Sequence, residues 1–181
     1  MDKEAGKRLM HFNSQTQHFQ SYDDGTGVWT VGYGHIKDVF KGMSITKNQA
    51  ELFFKEDVER HIQGIYNYIK VPITQNQFDA LTSLAFNLGP DFLKGKKLLA
   101  NINAGRDVQA AKEFHDANKM YNKKSGKLEP SDGLTIRRYE ESLLFLKGLD
   151  CEDDECKQFV SETQKMLKQL QFKVDNRIKK Q

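Results

Sequence analysis

The chain is poor in the residues that would set it apart from ordinary globular proteins. Two cysteines and three prolines in 181 residues exclude both a dense disulfide scaffold and an extended proline-rich chain. No stretch reaches the roughly 18 apolar residues of a membrane helix, and the start, Met1-Asp2-Lys3-Glu4-Ala5-Gly6-Lys7-Arg8, lacks the apolar segment of a secretory signal. No membrane span and no signal peptide are therefore expected. The net charge is only +3 and no base-reading motif accompanies the lysines, so no nucleic-acid partner is expected. His11, His18, His35, His61 and His115 show no zinc spacing, and two cysteines offer too few ligands, so neither metal nor cofactor is expected. Cys151 and Cys156 flank Glu152-Asp153-Asp154-Glu155. They can bridge if the backbone turns there, but on a continuous helix they would face different directions, and both arrangements stay open.

What remains is a chain with 38% hydrophobic residues, enough for one compact domain or two lobes sharing a helix. A first helix is expected from about Gly6 to Gln20, ending or bending at Asn13-Ser14-Gln15-Thr16, a weak helix-forming run. From Tyr22 to His35, turn residues precede an alternating β-branched and aromatic stretch with interspersed glycines, which predicts a short hairpin. This is the one convincing piece of strand in the sequence.

Helical signals follow. Thr46 and Gln49 have capping-box spacing ahead of a stripe of Phe54, Val58, Ile62, Ile65 and Ile69, which ends near Val71-Pro72. Thr74 and Gln77 repeat the box ahead of Phe78, Leu81, Leu84, Ala85 and Leu88, and Gly89-Pro90 stops that helix. Further helices are expected near Gly95 to Asn103, Val108 to Ala117 and Thr135 to Lys147, with a polar loop from Asn122 to Asp132. Beyond Cys156, Val160, Thr163, Leu167, Leu170, Val174 and Ile178 keep helical spacing among lysines. That predicts an amphipathic helix, either packed on the body or offered to a protein partner.

One constellation goes beyond fold class. Tyr22-x-Asp24, five residues, then Thr30-Val31-Gly32-Tyr33-Gly34-His35 resembles the corresponding segment of the phage-type lysozymes, glycoside hydrolase family 24. The resemblance continues through Gly42-x-x-Ile45-Thr46, Pro72 to Leu81 and Phe86-Asn87-Leu88-Gly89. It ends in Gly133-Leu134-x-x-Arg137-Arg138, where Glu141 lies four residues after Arg137 and three after Arg138. Together these blocks cover about residues 9 to 146.

The resemblance implies an α+β, mainly α, two-lobed lysozyme-like fold. Its catalytic domain would span residues 1–150, with a small β-hairpin lobe at about 10–60 and a helical lobe at about 70–150. Residues 151–181 would form an amphipathic helical extension. The implied reaction is hydrolysis of the β-1,4 bond between N-acetylmuramic acid and N-acetylglucosamine in peptidoglycan glycan strands, on the cell wall in the periplasm or outside the cell. Glycoside cleavage needs a protonated acid beside the leaving oxygen and, for inversion, a carboxylate that activates water from the other face. Asp24 matches the carboxylate and Thr30 its water-positioning helper. The acid of the family lies seven residues before the tyrosine, and here that position is Gln15, an amide that can hold the same hydrogen bonds but cannot deliver a proton. His35, Arg137 and Arg138 would support the site, and Ile36, Phe86 and Asn87 would meet the sugar.

Each of these residues has an ordinary alternative: Asp24 as a turn cap, Thr30 as a strand residue, His35 as a partner for a buried carbonyl, the arginines as surface charges. Their ordered spacing favours the site. Gln15 marks either a natural loss of catalysis in a lysozyme-like binding module or a deliberate exchange of Glu for Gln. The preserved Asp24, Thr30 and His35 favour the exchange.

Overall fold

The computed structural model describes residues 12–25, 27–122 and 125–179. The chain divides after Arg60 into two compact units. The boundary falls inside one long helix.

In the first unit, β1 (Phe12–Asn13), β2 (His18–Gln20) and β5 (Ser44–Thr46) form an antiparallel sheet in the order β1-β2-β5. β3 (Tyr22–Asp23) and β4 (Trp29–Thr30) form a separate hairpin. The sequence predicts helix as far as Gln20, and residues 12 to 20 are instead a hairpin. The cause is local: Asn13 Oδ1 accepts the N–H groups of Gln15 (2.9 Å) and Thr16 (3.1 Å), turning the backbone where a helix would have to continue. Phe12 pairs with Phe19 across that turn, ring centroids 4.7 Å apart. The expected helical residues before Phe12 lie outside the described part. Phe19, Val31, Ile45 and Ala50 make the core of this unit. Gly32 holds φ at +61°, and a Cβ there would stand 3.0 Å from the Ala50 Cβ, so the loop after β4 can pack this tightly only with glycine.

Helix α1 (Lys47–Tyr68) begins at the capping box foreseen in the sequence: Gln49 N–H donates to Thr46 Oγ1, and Thr46 N–H donates back to Gln49 Oε1. In the second unit α2 (Gln75–Leu88) has the same reciprocal cap from Thr74 and Gln77. It is followed by α3 (Lys97–Asn103), α4 (Asp107–Glu113), a single 3-10 turn at Phe114–Asp116 and α5 (Asp132–Leu146). Ser131 caps α5, which therefore starts three residues before the expected Thr135. Leu81, Leu84, Ala110, Phe114 and Phe145 are buried almost completely in one core with Cys156 and Phe159 of α6 (Asp154–Ile178).

The polar stretch expected as a loop is a second hairpin, β6 (Lys119–Asn122) paired with β7 (Lys127–Pro130). Cys151 and Cys156 are bridged, Cα atoms 5.4 Å apart. The geometric objection to a bridge disappears because the helix starts between them. Asp153 is its N-cap, accepting the Cys156 N–H at 2.8 Å, and Cys151 lies in the coil before it.

Candidate active site

The β3–β4 hairpin decides where the first group of candidate residues points. Tyr22 faces Thr30 and Asp23 faces Trp29, and the ladder runs one step further, because Asp24 N–H donates to Val28 O at 3.1 Å. Side chains alternate along a strand, so Tyr22, Asp24, Val28 and Thr30 share one face, with Asp24 and Thr30 on the diagonal. The two acidic residues divide the work. Asp23 Oδ1 accepts the N–H groups of Gly25 (2.8 Å) and Gly27 (3.0 Å) and so closes the turn. Asp24 accepts the Val28 N–H at 3.3 Å and keeps an exposed carboxylate. Thr30 is buried to 5% exposure, its hydroxyl donating to Val28 O at 3.4 Å. An exposed carboxylate on the same face as a fixed hydroxyl is a pair able to orient a water and take its proton.

Gln15 occupies the β1–β2 turn, exposed, on a different sheet from Asp24 and Thr30. Its neighbour Gln17 has φ +58° and ties the turn shut by donating from Nε2 to Ser14 O.

His35 is anchored from the helix. Its Nδ1 lies 2.9 Å from Asp57 Oδ2, its ring stacks on Phe53 at 4.4 Å, and Asp57 Oδ1 accepts from Arg60 Nη2 at 2.6 Å. Asp57 is 4% exposed and escapes sequence reasoning. The available signal was an acidic residue four positions after Phe53, on the side of α1 that packs inward. Ile36, next in the chain, is 54% exposed.

The remaining candidates belong to the second unit. Arg137 and Arg138 both pair with Glu141, at four and three residues, as one helical turn allows. Arg138 is the one that points inward: it is fully buried, with Nη2 2.9 Å from Glu141 Oε1 and Nε 2.8 Å from Oε2. Burial pushes its guanidinium pKa down to about 10, with Glu141 working against the shift. It stays charged at neutral pH. Arg137 is partly exposed and held at Nε by Glu141 (2.9 Å) and at Nη2 by Ser83 O (2.7 Å) and Oγ (3.0 Å). Ser83, which the sequence does not single out, also donates to Glu141 Oε1 at 2.6 Å. Phe86 leans on His61 at 5.4 Å. Asn87 Oδ1 is buried with no hydrogen-bond partner among the described residues.

A family model described as phage lysozyme matches residues 14–141. The chain belongs to the phage lysozyme family, and with it to the lysozyme-type glycosidases. It is 40% identical over 126 residues to the endolysin of Acyrthosiphon pisum secondary endosymbiont phage 1, covering 70% of this chain and 85% of that one. It is 41% identical over 121 residues to the endolysin of Bacillus phage B103, covering 66% of this chain but only 44% of that longer protein. Among solved structures, the endolysin from Escherichia coli O157:H7 phage FAHEc1 superposes with a TM-score of 0.65 at 38% identity, over 72% of this chain and 84% of that one. The mixed α+β fold, mainly helical, is thus that of the lysozyme-like endolysins. Among the described residues no helix is long and apolar enough to cross a membrane.

Proposed function

We propose that this protein is a peptidoglycan muramidase, directed at the β-1,4 bond between N-acetylmuramic acid and N-acetylglucosamine, whose acid position carries an amide. It therefore holds the glycan and cuts it slowly. The observation that carries this reading is the shared face of Asp24 and Thr30 on the β3–β4 hairpin. Asp24 takes the proton of the attacking water and Thr30 fixes the water's position. Gln15 hydrogen-bonds the glycosidic oxygen without protonating it, so the leaving alkoxide goes unassisted. His35, clamped by Asp57 and Phe53, holds the loop after β4 in place. Arg137 and Arg138 act through Glu141, ordering α5 within the helical unit. The place of action is the cell wall.

The test is Gln15→Glu assayed by turbidity loss on purified peptidoglycan, with circular dichroism to confirm folding. General acid help is worth about 10²–10⁴ in rate, and a gain of that order is the expected result.

One observation favours a second reading, a lysozyme-like module that binds glycan without cutting it. Gln15 lies in an exposed turn stabilised by Asn13, not at the end of a helix. If Gln15→Glu binds peptidoglycan yet stays as inactive as the parent, the binding module is correct.

A further inference from the structure

The β6–β7 hairpin lies outside the core clusters of both units among the described residues. Tyr121 pairs directly with Leu128, and Lys119 pairs with Pro130. Residues two apart on a strand point the same way, so Lys119, Tyr121, Leu128 and Pro130 form one face. That face is open: Tyr121 is 52% and Leu128 66% exposed, and Lys119 and Pro130 are exposed beside them. An isolated two-stranded hairpin is marginal in water, and an aromatic–aliphatic pair left uncovered on it is a surface shaped for something else.

Charge identifies the occupant. Lys119 stands on the open face, whereas Lys127 and the acid Glu129 alternate to the other side of the hairpin. That acid is already engaged: Asn122 donates to its Oε2 at 2.6 Å, and the hydrogen bonds from Ser125 and Asn122 hold its carboxyl below the ordinary range. The open face therefore offers an aromatic ring beside one cation, Lys119, with no acid among its described residues. A saccharide presents its axial C–H face to an aromatic ring, and a muramic-acid glycan carries carboxylates on its peptide branches, or on the lactyl group where no peptide is attached, so one strand of this polymer satisfies both features. A purely apolar partner would bring no anion to Lys119, and a neutral glycan would leave its charge unused.

We infer that the Lys119/Tyr121/Leu128/Pro130 face is a second contact surface for the anionic glycan–peptide strand, in a different unit from Gln15, Asp24 and Thr30. This rests on the peptidoglycan reading above. Its role is retention on the polymer, independent of the reacting residues.

The experiment is sedimentation of the full chain with purified peptidoglycan sacculi across a salt series, alongside Tyr121→Ala, Tyr121→Trp and Lys119→Gln. Tyr121→Ala is expected to weaken binding about tenfold, the loss of one central aromatic anchor, and Tyr121→Trp to retain it. Lys119→Gln leaves the Tyr121–Leu128 pair in place, so it reports on the surface even if Tyr121→Ala loosens the hairpin. It is expected to bind more weakly at low salt and to show a flatter salt dependence. If the parent chain binds sacculi and all three variants bind as it does, the hairpin surface is refuted while the peptidoglycan reading stands. If the parent does not bind sacculi, both fail. A concentration-dependent dimer in light scattering that Tyr121→Ala abolishes would make the occupant a second copy of this chain and would overturn the assignment to glycan.

Discussion

Replacing Glu141 by glutamine is the most demanding test of the helical unit, because it changes one charge and almost no volume. Glu141 Oε1 accepts from Ser83 Oγ at 2.6 Å, Arg137 Nε at 2.9 Å and Arg138 Nη2 at 2.9 Å. The carboxylate is 4% exposed and Arg138 is fully buried. In the Glu141→Gln variant, two adjacent guanidinium groups keep their positive charges and lose their shared anion, and Arg138 has no route to solvent. Breaking a buried pair from one side costs about 3–5 kcal/mol, most of it the unpaired charge left behind. For a chain of this size each kcal/mol moves the melting temperature by about 2–4 °C, so the midpoint should fall by about 6–20 °C. The control is Lys112→Ala, which removes an exposed partner of Glu155 held at 2.6 Å and should cost less than about 1 kcal/mol. Thermal unfolding by circular dichroism at neutral pH compares the two directly. Equal, small shifts for both variants would refute the view that Glu141 neutralises a buried arginine.

Three further outcomes are expected. In the Gln15→Glu background, Asp24→Asn should remove most wall-clearing activity while leaving the melting curve unchanged, since Asp24 is exposed on its hairpin; turbidity and calorimetry on the same preparation check both halves. Gly64→Ala should destabilise by about 3 kcal/mol or more in urea unfolding, because a Cβ on Gly64 of α1 would overlap the Pro90 carbonyl. Burial lowers the His115 pKa, with Asp116 pulling partly the other way. The unfolded chain thus takes up this proton first, and stability should fall as pH drops below about 6.5, where a free histidine begins to titrate. Urea midpoints measured for the parent and His115→Gln between about pH 7.5 and 5.5, a window that brackets that value, should converge at the lower pH.

How much of this was legible beforehand depended on how locally each element is determined. α1 and α2 were readable because cap and stripe lie within one stretch of chain: Thr46 with Gln49, Thr74 with Gln77. The Asp24–Thr30 face was readable for the same reason, both residues lying on one tight hairpin. The β1–β2 hairpin is ambiguous in the sequence because Phe12 and Phe19 are seven residues apart. That spacing suits two turns of helix as well as a cross-strand pair around a tight turn. Only the Asn13 side chain, closing on the Gln15 and Thr16 amides, separates the two. The β6–β7 hairpin was hidden by its composition, since Lys-Met-Tyr-Asn against Lys-Leu-Glu-Pro contains no β-branched residue to mark a strand. Asp57 and Ser83 were out of reach because their partners lie 22 and 54 residues away, and only the folded chain brings them together.

The arginine pair shows how an ambiguity of spacing turns into a division of labour. From the sequence, Glu141 suits Arg138 at three residues and Arg137 at four, because both offsets put side chains on neighbouring positions of a helix. Nothing in that geometry chooses between them, and α5 uses both. Environment then separates two chemically identical groups. Arg138 loses all solvent, and Glu141 lying against it offsets part of the cost of burying its charge. Arg137, fixed at Nε and Nη2 by Glu141 and Ser83, keeps partial exposure and so remains able to meet an anion. Lysine at 137 would surrender the two-sided grip, since a single ammonium cannot reproduce the planar fork that reaches Glu141 on one edge and Ser83 on the other. At 138 the same exchange would leave a more strongly hydrated charge in a site closed to solvent. The two positions therefore tolerate lysine for different reasons and to different degrees: substitution at 137 should spare the fold and loosen the grip on Ser83, whereas substitution at 138 should cost the fold itself.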